Sequence, residues 1–143
     1  RTVFCYVGAK WEIDTTALLR SALRDGKRLV LPLCTQPGVM EARQIGSLGD
    51  LVSGKFGILA PKLQCPLVPP EEIDLALVPC CTGNAGGQRL GYGGGYYDRF
   101  LPRTGCPALL LCRGQMVRED LPMDGHDVVM DYLVTEKGIT ACR

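Results

Sequence analysis

The chain has 143 residues, of which 46% are hydrophobic and 22% charged, with a formal net charge of +1. That suffices for one domain with a buried core, and it excludes the strong overall field that recruits nucleic acid or anionic membranes. No apolar run approaches the roughly 20 residues that span a bilayer, and residues 1–7 are too short for a signal peptide.

Residues 3–7 read as a short buried strand, apolar and β-branched. Asp14 and Thr15 then supply N-cap chemistry, Leu18, Leu19, Ala22 and Leu23 recur at helical spacing, and Gly26 is a natural stop. Residues 28–32 form a second buried strand. Strand, helix and strand with short links make a βαβ unit, which favours a parallel sheet with a right-handed crossover. Residues 39–43 read as a strand and 47–51 as a helical turn, whereas 54–70 are rich in Pro and Gly and read as loop. Residues 73–79 give a third buried strand and 106–112 another. A helix starts at Tyr96, and residues 132–134 form a last short strand.

The eight cysteines form no C-x-x-C pair and only one His is present, which gives a zinc site little support. Small buried apolar side chains in a reducing cytosol are the favoured reading; a disulfide scaffold is the alternative.

The chemistry concentrates between Gly86 and Phe100. Gly91, Gly93, Gly94 and Gly95 put four glycines in five positions. Without a Cβ the backbone reaches positive φ and its N–H groups approach a ligand closely. A glycine loop that opens a helix aims N–H donors and the helix dipole at an anion, and in open α/β sheets ligands lie beyond the carboxyl ends of the strands. Arg89 adds a fixed charge suited to phosphate, and Asp98 a carboxylate suited to Mg²⁺ beside phosphate oxygens. Tyr92, Tyr96 and Tyr97 can stack on a heterocycle or donate a hydroxyl. A flexible linker is the plainer reading, but linkers lack such aromatics. The segment is neither a Walker loop, since no Gly-Lys-Ser/Thr follows, nor the Rossmann fingerprint, whose final glycine is missing.

The run Arg89-Leu90-Gly91-Tyr92-Gly93-Gly94-Gly95-Tyr96-Tyr97-Asp98 resembles the signature of 5-formyltetrahydrofolate cyclo-ligases, or methenyltetrahydrofolate synthetases. Glu12-Ile13-Asp14-Thr15, Met40-Glu41-Ala42-Arg43, the run at 54–58, Ile73-Asp74-Leu75 and His126-Asp127 with Asp131 are similar to other family runs, in order. The resemblance implies a three-layer α/β/α fold with a mostly parallel sheet, built as a single domain over residues 1–143 that lacks the family's first helix. It implies an enzyme that cyclises 5-formyltetrahydrofolate to 5,10-methenyltetrahydrofolate, using ATP and Mg²⁺. Arg89, Leu90, Gly91, Tyr92, Gly93, Gly94, Gly95, Tyr96 and Tyr97 would hold ATP, with Arg89 and Tyr96 as catalytic residues. Val7, Glu12, Tyr92, Gly93, Gly94, Gly95 and Tyr96 would face the folate, and Asp98 and Asp127 would hold Mg²⁺. A cytoplasmic monomer without nucleic-acid or membrane partners is expected. Two departures stand out: residues 80–84 lack the aromatic and acid common there, and Ala60 replaces a common Glu. A non-catalytic folate- or nucleotide-binding remnant, and an unrelated sugar-phosphate or CoA-handling protein, are the competing readings.

Overall fold

A computed structural model describes residues 1–8, 12–54, 57–79, 82–83, 86–87, 89–90, 96–117 and 129–142. The chain opens with β1 (Thr2–Phe4), α1 (Thr16–Arg24) and β2 (Arg28–Gln36). β1 and β2 pair in parallel, as the βαβ reading requires. β1 is shorter than its apolar run, although the Cys5 N–H still donates to the Val30 carbonyl at 3.0 Å. β2 runs past Pro32, where the sequence suggested an end. Backbone N–H and C=O groups alternate between the two neighbouring strands; Val30 faces β1, so the missing N–H of Pro32 does too, and the β1 pairing stops at Phe4 opposite Val30. The antiparallel ladder to β3 (Val39–Ile45) is therefore undisturbed.

After a 3₁₀ turn at Leu48–Asp50 and β4 (Leu51–Ser53), the stretch at 54–70 expected to be loop contains β5 (Leu59–Pro61) and β6 (Leu67–Val68). Strands this short lie between Pro and Gly residues and have no period of their own to detect. β7 (Leu75–Pro79), β8 (Thr82–Gly83), β9 (Arg89–Leu90), α2 (Tyr96–Phe100), β10 (Ala108–Leu111), β11 (Tyr132–Thr135) and β12 (Gly138–Ala141) complete the order.

The main sheet runs β12-β11-β10-β7-β1-β2-β3-β6. Its five central strands, β11 to β2, are mutually parallel, and β12, β3 and β6 add antiparallel edges. Both faces are covered. Leu29 and Leu31 join Leu19 of α1 in one core cluster; Val30 between them joins Phe100 of α2 in the other. Alternation along a single strand thus separates the two layers, giving the expected α/β arrangement of helix, sheet and helix. Phe4 anchors the α2 side, its ring 5.1 Å from Phe100 and 6.1 Å, edge-on, from Tyr97.

Helix α1 presents a narrower apolar face than its spacing suggested. Leu19 is buried with Ala22 and Leu23 beside it, whereas Leu18 is 45% exposed. The helix ends in a Schellman motif: Gly26 has φ 75°, its N–H bonds Leu23 O at 3.1 Å, and the Lys27 N–H bonds Ala22 O at 2.9 Å. Its start is capped by Asp14, which accepts the Thr16 N–H at 3.0 Å and the Thr16 hydroxyl at 2.7 Å. Thr15 makes no side-chain cap bond. Cys5, Cys65, Cys112 and Cys142 are buried, as expected of small apolar side chains.

Two outcomes are expected. The Thr16 backbone N–H, then its hydroxyl, hold the Asp14 carboxyl below its ordinary value of 3.8. The unfolded value is the higher one, so the cap contributes fully above pH 3.8 and is lost as pH falls through the lowered folded value. NMR of the Thr16 amide should report this acid transition, and Asp14→Asn should abolish it. Gly87 combines φ 86° with packing in which a Cβ would strike the Met130 carbonyl oxygen and lie 2.8 Å from Val129 Cγ1. Gly87→Ala should cost about 2–4 kcal/mol in urea unfolding, strained backbone and overpacking together.

Candidate functional site

The carboxyl ends of the parallel strands form one rim of the sheet. Beyond β1 lie Cys5 to Gly8 and then the Glu12 segment. β7 delivers the β8–β9 hairpin, in which Gly83 pairs with Arg89 and Thr82 with Leu90. Arg113 and Gly114 follow β10, and Glu136 follows β11.

The hairpin is fixed at two places. A parallel bridge joins Gly83 to Val117 near the rim. At its far end the Met130 N–H donates to the Gly87 carbonyl at 2.7 Å, where only a glycine fits. The backbone at Arg89 and Leu90 is thereby held in register at the head of the glycine segment. Gly91, Tyr92, Gly93, Gly94, Gly95 and Asp127 lie outside the described residues.

Tyr96, Tyr97 and Asp98 open α2, and all three are half-buried. Tyr96 and Tyr97 pack on the Phe4 and Phe100 cluster, so much of the Tyr97 ring serves the core. At five residues, followed by a 3₁₀ turn at Leu101–Arg103, α2 is too short to supply much dipole. The helix dipole invoked from sequence is therefore a minor contribution. Among the described residues no group of three or more His, Cys, Asp or Glu is placed to hold a metal ion. Asp98, expected from sequence as a Mg²⁺ ligand, lies in the first turn of α2.

Val7 lies on the other side of the sheet, half-buried with Ile13 against the α1 cluster. Val7 and the Tyr96–Tyr97 pair thus occupy opposite layers. A ligand touching both must lie across the strand ends. The Val7 side is organised by Thr15, which the sequence presented as a cap. Its fully buried hydroxyl donates to the Tyr6 carbonyl at 2.6 Å and accepts the Gly8 N–H at 3.2 Å. Gly8 passes so close to Ile13 that a Cβ would overlap the Ile13 carbonyl oxygen. The strand exit and the helix entrance are therefore locked backbone to backbone. Glu12, half-buried, is bonded at its own carbonyl by Arg113 Nη2 at 2.9 Å. Sequence reasoning missed Arg113, Gly87 and the clamp made by Thr15; none carries a short-range pattern that distinguishes it.

Two open cavities lie elsewhere. One of about 500 Å³ is bordered by Gln44, Asp50 and Lys62. The other, about 460 Å³, is bordered by Cys106, Pro107 and Asp131. Both sit toward the amino ends of the parallel strands, away from the rim. No helix of the described residues is long and apolar enough to cross a membrane.

Residues 1–136 match the model of the 5-formyltetrahydrofolate cyclo-ligase family. A 5-formyltetrahydrofolate cyclo-ligase of Mycolicibacterium smegmatis is 35% identical over 153 residues, covering 100% of this chain and 78% of the relative. The protein of that name from Escherichia coli is 33% identical, covering 94% of this chain and 77% of the relative. The solved 5,10-methenyltetrahydrofolate synthetase of Aquifex aeolicus superposes with a TM-score of 0.87 at 35% identity, over 100% of this chain and 72% of that one.

The Thr15 clamp is open to test. Thr15→Val keeps the shape but leaves the Tyr6 carbonyl and Gly8 N–H without their hydroxyl. Stability in urea should fall by about 1–3 kcal/mol, and Thr15→Ser should recover most of it.

Proposed function

Because the chain belongs to the 5-formyltetrahydrofolate cyclo-ligase family, we propose that it cyclises 5-formyltetrahydrofolate to 5,10-methenyltetrahydrofolate, consuming ATP with Mg²⁺. What supports this reading is the hairpin that carries Arg89 and Leu90. It follows central strand β7 at its carboxyl end, the side on which an α/β sheet offers its ligand crevice, and is pinned at both ends.

In this reading the folate lies across the strand ends. Its pterin edge meets Glu12, whose carboxylate accepts two N–H bonds, and Val7 supplies an apolar wall. Arg89 and the N–H groups of Gly91, Gly93, Gly94 and Gly95 hold the ATP phosphates together with Leu90, Tyr92, Tyr96 and Tyr97, and Tyr92 to Tyr96 also face the folate. The formyl oxygen attacks the γ-phosphorus and ADP leaves. N10 then attacks the activated formyl carbon and releases its proton to solvent, the C–O bond breaks, and phosphate departs. Asp98 and Asp127 would hold Mg²⁺, which when bound neutralises charge on the phosphate oxygens. The protein's part is positioning and charge compensation, and no side-chain nucleophile is required. That agrees with Cys5, two residues before Val7, whose burial pushes its pKa up to about 12 and keeps it protonated.

With 5-formyltetrahydrofolate, ATP and Mg²⁺, the full-length protein should form the methenyl product, seen by its absorbance, and release ADP and phosphate in equal amounts. Arg89→Ala should weaken Mg-ATP binding about ten- to a hundredfold by isothermal titration, the worth of one charge-assisted contact. Tight folate binding without ATP hydrolysis would instead identify a non-catalytic binder, and indifference to the folate would overturn the assignment.

A further inference from the structure

Arg113 reaches across the rim. Its Nη2 donates to the Glu12 carbonyl oxygen at 2.9 Å, over 101 positions of sequence. In the sheet, β7 lies between β10, which Arg113 follows, and β1, which Glu12 follows. The bond therefore spans the strand end from which residues 80–95 depart. Gly114, the next residue, donates its N–H to Glu136 Oε1 at 2.7 Å. A Cβ on Gly114 would meet that carboxylate, so a larger residue there would make the Glu136 side chain shift. The loops after β1, β10 and β11 are thus joined in a line, with Arg113 and Gly114 at its centre.

The Thr15 bonds fix the residues on either side of the Glu12 segment, Tyr6 and Gly8 before it and Thr15 itself after it. The Arg113 bond holds Glu12 at its own main chain. A carboxylate that must accept two parallel N–H bonds tolerates only a small displacement, about 0.5 Å. The direction in which Glu12 leaves the backbone is set where its carbonyl is held. The geometry points to Arg113 as a positioning residue for the Glu12 carboxylate, tuning capture of the folate and not of ATP. This rests on the reading that Glu12 meets the pterin edge. Arg113 itself touches no reacting atom.

The test uses full-length protein and a double-mutant cycle with Arg113→Met, which keeps the apolar stem and removes the donors, and Glu12→Gln. Arg113→Met should raise KM for 5-formyltetrahydrofolate about three- to tenfold, the span of one net hydrogen bond, while KM for Mg-ATP and the melting temperature hold. Arg113→Lys, which keeps a donor on a long stem, should recover part of the loss. In the Glu12→Gln background Arg113→Met should add little, because its effect passes through that carboxylate. Additive effects, or equal rises in both KM values, would reduce Arg113 to a general structural contact and overturn the proposal. If Glu12→Gln raises the folate KM but Arg113→Met leaves it unchanged, the folate site stands and the positioning role falls. If neither variant changes it, both fall together.

Discussion

β1 is the constraint on which the rest of the site depends. It occupies the middle of an eight-stranded sheet, yet it is three residues long. Its apolar neighbours Cys5 and Tyr6 stay buried after the strand has ended. A buried backbone that leaves a ladder must find other partners for its N–H and C=O groups. The Thr15 hydroxyl is such a partner, acting as donor to Tyr6 and acceptor from Gly8 at once. Only a hydroxyl has both capacities in so small a volume. The early end of β1 opens the rim, and Thr15 stabilises the opening.

The layering then decides what kind of ligand the rim suits. Val7 belongs to the α1 cluster and the two tyrosines of α2 belong to the other. Neither face alone offers both chemistries. A long molecule with a flat ring at one end and a reacting centre near phosphates at the other can span the strand ends and use both. The hairpin from β7 emerges at the middle of this span. Its tie to Val117 and the Arg113 bond to Glu12 cross-link the two sides over the end of β7. Preorganisation of this sort matters most in a reaction where the substrate supplies its own nucleophile.

Much of this was readable from residues. The apolar runs of β2, β7 and β10, the helix with its Gly26 stop, and the glycine segment after β7 are all local in sequence, so the sequence displays them. What it hid depends on distant partners. Pro32 looked like a strand end because its missing donor is local, while the fact that β1 no longer runs beside it is not. Leu18 and Leu19 looked equivalent, and only the sheet's position buries one of them. Thr15 looked like a cap because the residue type fits. Asp14 takes that role one position earlier and leaves the hydroxyl for Tyr6. Arg113 bonds a main-chain carbonyl, an acceptor that every residue carries, so no pairing of residue types could have revealed it.

The short α2 shifts weight among the parts of the proposed phosphate site. A helix dipole acts through its terminal turn and grows with aligned peptide units, and five residues give it little scope. Phosphate charge would then be met by individual N–H groups and by Arg89. Individual donors bind well only when the backbone carrying them is already in place. The hairpin fixes Arg89 and Leu90, the residues just before the glycines. Gly87 admits the close approach of Met130 at one end, and Gly83 takes the bridge to Val117 at the other. Rigidity just before the glycines compensates for their own freedom, because ordering a glycine costs more backbone entropy than ordering any other residue. The entry point of the segment is thus fixed to the rest of the fold at both ends of the hairpin.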